Sequence, residues 1–174
     1  MSFVHLHCHT EFSLLDGAIR PGDLVKKAAA FGMPAVAVTD HGNMHAAVPF
    51  YQAAVKAGVK PIIGCEVYVA PDSRKKKKTT SGGKDVYNHL VLLAKDEAGY
   101  KNLIQLTTAA HLEGYYYKPR VDWDVLSDHA EGLIATTGCL GGHVLQALKR
   151  DDYDDARVKA ARLQEIFGKD NLFI

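Results

Sequence analysis

The chain has 174 residues, 47% of them apolar, which is enough for one domain with a real core. Charged residues make up 24% and the net charge is +1, which argues against a strongly basic nucleic-acid module or an acidic tail but leaves room for a local basic patch. The three cysteines, Cys8, Cys65 and Cys139, are odd in number and widely spaced, so a disulfide framework is not expected and a reducing cytoplasm is.

In chain order, Phe3 to His7 reads as a first strand, with no secretory signal ahead of it. Pro21 to Phe31 reads as a helix, with proline suited to its first turn and Gly32 to its stop. The apolar run Pro34 to Thr39 is a buried strand, and His45 to Ala57 is a helix stopped by Gly58. Pro61 to Val69 is a third strand and Leu90 to Ala94 a fourth, followed by a helix over Glu97 to His111. Leu133 to Thr137 is a fifth strand, and Asp152 to Phe167 a helix stopped by Gly168. Asn171 to Ile174 begins another strand, so the expectation is a piece of a longer chain. This alternation predicts an α/β fold with a mostly parallel sheet or barrel. No apolar run is long enough to span a bilayer.

Two segments interrupt the pattern. Pro71 to Asp85 carries Arg74, Lys75, Lys76, Lys77 and Lys78 and then threonine, serine and glycine, which predicts an exposed, mobile loop. Five adjacent cations also suit contact with a phosphate backbone, although a solvated loop needs no partner. Gly114 to Asp124 reads as an ordered connection.

The strongest chemical signal is His5-Leu6-His7-Cys8-His9. Side chains alternate along a strand, so His5, His7 and His9 are expected on one face, and neutral imidazole is the commonest transition-metal ligand. His5 lies deepest and reads as a support for the ligands. Thr39-Asp40-His41-Gly42 directly follows a buried strand, where parallel folds carry their chemistry. Asp40 offers a carboxylate that either orients an imidazole or caps a helix.

Glu66 stands inside an apolar strand, which is costly unless it is paired or metal-bound. Alternatively it faces outward while Cys65 and Val67 face the core. Cys139, in Thr137-Gly138-Cys139-Leu140-Gly141, is a thiolate ligand or a small buried filler. By spacing alone Asp16, before Gly17, is a turn residue. His89 precedes its strand; it reaches the same rim only if the third and fourth strands run antiparallel. His45, His111, His129 and His143 have no partner at ligand spacing.

Together, His-Leu-His-Cys-His-Thr, Thr-Asp-His-Gly-Asn, Gly-Cys-Glu-Val-Tyr, Asn-His-Leu-Val-Leu-Leu-Ala and Thr-Thr-Gly-Cys-Leu-Gly-Gly resemble the polymerase and histidinol phosphatase (PHP) family. Glu11 to Gly17, Asp40 to Met44 and Glu113 to Arg120 bring the resemblance closest to its bacterial replicative polymerase branch, across essentially the whole chain. The resemblance implies a distorted seven-stranded βα barrel, truncated here at its C-terminal side, with residues 1–174 forming the leading part of the domain. It implies His7, His9, Asp16, His41, Glu66, His89 and Cys139 as ligands for up to three zinc, manganese or iron ions. The family's last Asp-x-His pair has no counterpart here.

It further implies a DNA-directed DNA polymerase chain of DNA replication, a nucleotidyltransferase whose polymerising domains lie elsewhere, with a phosphoesterase-type site suited to 3′–5′ proofreading exonuclease activity. The implied partners are DNA, the remaining polymerase domains and a proofreading subunit, in the cytoplasm and not at a membrane. Arg74 to Lys78 and Arg120 are the candidate DNA contacts. The alternatives are a metal-stabilised scaffold and a stand-alone histidinol-phosphatase-like enzyme.

Overall fold

The computed structural model describes residues 3–14, 16–77 and 87–174. The elements in order are α1 (Pro21–Ala30), β1 (Ala35–Val38), α2 (Ala47–Ala57), β2 (Lys60–Val69), β3 (Asn88–Ala94) and α3 (Glu97–Leu112). They continue with β4 (Arg120–Val121), α4 (Trp123–Asp128), β5 (Leu133–Thr136), α5 (His143–Leu148), α6 (Tyr153–Phe167) and β6 (Leu172–Phe173).

One sheet runs in the order β1-β2-β3-β5-β6, with β4 pairing β2 off that path. β1 and β4 run parallel to β2, and β6 runs parallel to β5. β3 is antiparallel to both its neighbours, so β5 again runs the same way as β2. The sheet is therefore mostly parallel, with β3 the one reversed strand among those described. This reversal is the condition under which His89 reaches the rim, and it holds. The C-terminal ends of β1, β2 and β5 and the N-terminal end of β3 share one edge of the sheet.

Local chemistry explains the boundaries. Asp96, Asp122 and Asp152 cap α3, α4 and α6 by accepting from Gly99, Val125 and Asp155 backbone N–H groups. α2 ends at Gly58, whose φ of 69° is left-handed and closes the helix by backbone bonds to Ala54 and Val55 carbonyls. The Phe3 to His7 strand is not formed. This segment runs beside β1 and accepts from Ala37 N through His5 O and from Thr39 N through Cys8 O, two contacts too sparse for a ladder. β4, α4 and α5 are short elements the periodicity did not reveal.

The main core joins Val67, Leu90 and Leu92 of the sheet to Leu103, Leu106, Leu126, Leu163 and Phe167 from α3, α4 and α6. Each fully buried leucine contributes roughly 1.5–3 kcal/mol of transfer free energy. A second cluster packs Leu24 and Val25 of α1 and Phe50 of α2 against Val36 and Val38 of β1. The opposite face of the sheet carries Ile62, Leu93 and Ile134, which border a cleft of about 1100 Å³. No described helix is long and apolar enough to cross a membrane.

Among the described residues of the basic run, Arg74, Lys75 and Lys76 carry ion pairs that composition does not predict. Arg74 Nη1 donates to Asp122 at 2.8 Å, while its Nη2 and Nε donate to Glu113 at 2.7 and 2.9 Å. Lys76 Nζ pairs with Asp72 at 2.9 Å, and Lys75 Nζ lies 3.9 Å from Glu113. Lys77 is exposed. Lys78, with the rest of the predicted loop to Asp85 except Lys77 and its predecessors, lies outside the described residues. Arg120 is not a surface contact. It is 3% exposed, and its guanidinium donates to the carbonyls of Gly114, Arg74 and Lys76 at 3.0, 3.0 and 2.8 Å. Carboxylates thus pair Arg74, and carbonyls hold Arg120 in the interior, so the expectation that Arg120 contacts DNA is corrected.

Candidate metal centre

The site is built around Glu66. Alternation along β2 sends Cys65, Val67 and Val69 into the main core and Glu66 and Tyr68 to the other face. That face is not solvent here: Glu66 is 1% exposed. A buried carboxylate needs partners, and imidazoles supply them. His7 Nε2 and His9 Nε2 lie 2.7 and 2.9 Å from Glu66 Oε2, and His89 Nδ1 lies 2.6 Å from Oε1. Burial alone would raise the Glu66 pKa. The hydrogen bonds from His7, His89 and His9 outweigh it and hold the carboxyl well below the usual range.

His41 arrives on the turn after β1. The bridge His41–Glu66 extends the β1–β2 pairing by bonds between Glu66 N and Asp40 O and between Gly42 N and Glu66 O. His41 Nε2 contacts Asp16 Oδ2 at 2.9 Å. Its Nδ1 is buried 3.5 Å from Glu66 without a hydrogen bond. Burial lowers the His41 pKa against the pull of Asp16, whereas the Glu66 hydrogen bond raises that of His9. Asp16 also closes a turn, its N–H donating to Ser13 O at 3.1 Å, so the turn expectation describes its backbone and the cluster its side chain. Cys139 is exposed, with Sγ 3.7 Å from Glu66 Oε1 and 3.8 Å from His89 Nδ1.

One expectation needs correction, and for Asp40 the geometry favours one of its two alternatives. His5 does not share the face of His7 and His9; it is exposed, its ring edge-on to Phe3 at 4.7 Å, and it touches none of the cluster. Asp40 neither caps a helix nor touches an imidazole. Its buried carboxylate accepts from Thr10 N, Thr10 Oγ1 and Ser13 Oγ at 2.5, 2.7 and 2.9 Å, and Ser13 Oγ in turn meets His9 Nδ1 at 2.9 Å. It orients His9 through Ser13, a residue sequence reasoning did not single out. Tyr68 was missed as well. Its ring stacks on His41 at 5.7 Å and meets His89 edge-on at 5.3 Å. An aromatic residue two positions after Glu66 on the same strand was the available signal. His111 supports the turn from outside, its Nε2 3.0 Å from Gly42 O.

Ligand atoms within 4.8 Å of one another form three overlapping triads: His7, His9 and Glu66; His9, Asp16 and His41; and His41, Glu66 and His89. Imidazole nitrogen with carboxylate oxygen is a donor set that divalent transition ions take, and the buried, unpartnered His41 Nδ1 points to the same use. The residues fit a metal centre. The nearby cleft holds none of them.

The geometry and the comparisons agree on the class. The chain belongs to the PHP domain family, whose model matches residues 5–174. Among its relatives, DNA polymerase III subunit alpha of Thermus aquaticus is 50% identical over 176 residues, covering 100% of this chain and 14% of that protein. The same subunit of Borreliella burgdorferi is 47% identical over 168 residues, covering 97% of this chain and 15% of that protein. The chain thus spans about one seventh of the length of these relatives. A two-domain protein of Bacteroides vulgatus containing a predicted PHP-like metal-dependent phosphoesterase gives a TM-score of 0.49 at 15% identity, over 86% of this chain and 37% of that one.

Proposed function

We propose that this rim is a metal-dependent phosphoesterase centre that hydrolyses phosphodiesters at 3′ DNA ends, in a chain that serves replicative DNA synthesis. The observation that carries the reading is the buried Glu66 carboxylate held between His7, His9 and His89. His7, His9, Asp16, His41, Glu66, His89 and Cys139 would hold up to three zinc, manganese or iron ions, and bound ions would supply a hydroxide nucleophile and neutralise the phosphate. Glu66 draws the imidazoles together, and Asp40 fixes His9 through Ser13. The relatives are polymerase subunits, so polymerisation by other domains, DNA as substrate and a proofreading partner belong to the same proposal.

A second reading has its own support. The cluster ties together residues from the first segment, the β1 turn, β2, β3 and the turn after β5, so a bound metal would also staple the sheet. The test is metal removal by a chelator, followed by exonuclease assay on a single-stranded oligonucleotide and by circular dichroism. Loss of hydrolysis with the fold intact, restored by zinc or manganese, is the expected result. Unfolding on chelation, with no hydrolysis before it, would favour the staple.

A further inference from the structure

The segment Gly114 to Arg120 places a cation against Tyr68, the aromatic neighbour of the ligands His41 and His89. Lys118 Nζ stands 5.5 Å from the centroid of the Tyr68 ring, the ring that stacks on His41 and abuts His89. Among the described residues this ammonium makes no ion pair and donates no hydrogen bond, whereas Arg74, Lys75 and Lys76 are paired with carboxylates. The side chain is half-buried. Holding an unpaired ammonium there costs rotamer freedom that a cation–π contact offsets only by about 0.5–1 kcal/mol at an exposed site.

The backbone around it is fixed. Tyr117 has φ 61°, a left-handed conformation that a non-glycine residue adopts at a cost, and a Tyr116–Lys118 bridge closes the turn. Pro119 lies against Gly42: a Cβ added there would come within 2.8 Å of the proline Cγ and 3.0 Å of the Tyr68 ring. The buried Arg120 anchors the far end through three carbonyls. Pro119, the next residue after Lys118, therefore packs on the turn that carries His41.

We propose that Lys118 is the phosphate-binding side chain of this centre, its ammonium taking a non-bridging oxygen of the phosphodiester beside the ligands while the Tyr68 ring fixes its stem. The inference rests on the phosphoesterase reading. It identifies the ligand group as a phosphate oxygen, which the phosphoesterase reading supplies and for which a rotatable ammonium is a suitable point donor.

The test uses the full chain loaded with zinc or manganese, in wild-type, Lys118→Met and Lys118→Arg forms. Metal content and thermal midpoint are measured first, and both should be unchanged in the variants. Binding of inorganic phosphate by calorimetry should weaken about tenfold in Lys118→Met and less than about threefold in Lys118→Arg. With a single-stranded oligonucleotide the Met variant should show raised KM, and its log affinity against log salt should be shallower by about 0.7. Phosphate affinity in Lys118→Met equal to wild type, with the metals in place, overturns the inference and leaves the phosphoesterase reading standing. If the metal-loaded wild type binds neither phosphate nor oligonucleotide, both fall together.

Discussion

One face of the sheet has two contrasting ends. At the rim, Glu66 and Tyr68 of β2 lie beside His89 of β3, register-paired to Tyr68. Toward the other end the same face carries Ile62, Leu93 and Ile134. The strands are continuous between the two, so strand propensity does not distinguish them. What differs is convergence: at the rim the turns after β1 and β5 and the segment before α1 bring imidazoles, Asp16 and Cys139 to one carboxylate. A buried acid is tolerated where several chain segments supply partners for it and is excluded where only strands meet.

The sharpest way to break this contrast is to make the rim resemble the other end. Glu66→Leu removes a carboxylate that two of the three triads share. Metal affinity should fall by more than about 100-fold, since loss even of a supporting carboxylate costs roughly 10–100-fold. Isothermal titration with zinc checks it, and wild-type affinity in the variant would show that the remaining ligands make the site without Glu66.

The reverse change belongs to the apolar end. Leu93→Ala should lower unfolding free energy by about 2–4 kcal/mol, because the side chain is 3% exposed and packed with Ala37 and Val91. Metal affinity should stay within about twofold of wild type if the two ends are independent. Urea unfolding and the same titration decide it; a matching loss of affinity would mean that the ends act as one unit.

The smallest effect concerns a histidine away from the rim. His143, at the start of α5, is 6% exposed, its ring 4.7 Å from that of Trp123 and its Nε2 without a hydrogen bond. Burial, aided by Lys159 and Arg162 and opposed by Asp155, pushes its pKa down from 6.5 to about 4. Between those values the unfolded chain binds the proton more tightly, so this contribution is complete above pH 6.5 and is lost as pH falls through 4. The loss is on the order of 3 kcal/mol. His143→Phe should flatten that acid limb and, with no unpaired nitrogen left to bury, raise stability at pH 7 by up to about 1 kcal/mol. Identical pH profiles for the two proteins would place the acid sensitivity at the rim instead.

Much of this was legible in the sequence because glycine stops and apolar runs mark the larger elements, and because loops after parallel strands gather on one edge. His7, His9, His41, Glu66 and Cys139 meet there, and the reversal of β3 brings in His89. Less legible was what depends on contacts distant in sequence. His5 alternates correctly on paper, but its segment forms only two backbone bonds to β1 and twists the ring away to Phe3. Arg74 and Arg120 read as surface charge because Glu113, Asp122 and the carbonyls that bind them lie in other segments or across a turn. Ser13 and Tyr68 lie outside the His, Cys and carboxylate pattern that marks a metal site in sequence, and only folding places them against His9 and His41.

The reversed strand has a consequence for how such a chain can vary. His89 is located by a six-pair ladder running from Gly64–Leu93 to Val69–Asn88, not by the number of residues that connect the two strands. The position of His89 is therefore set by the register inside the two strands. A one-residue slip inside either strand would turn His89 to the opposite face, away from Glu66.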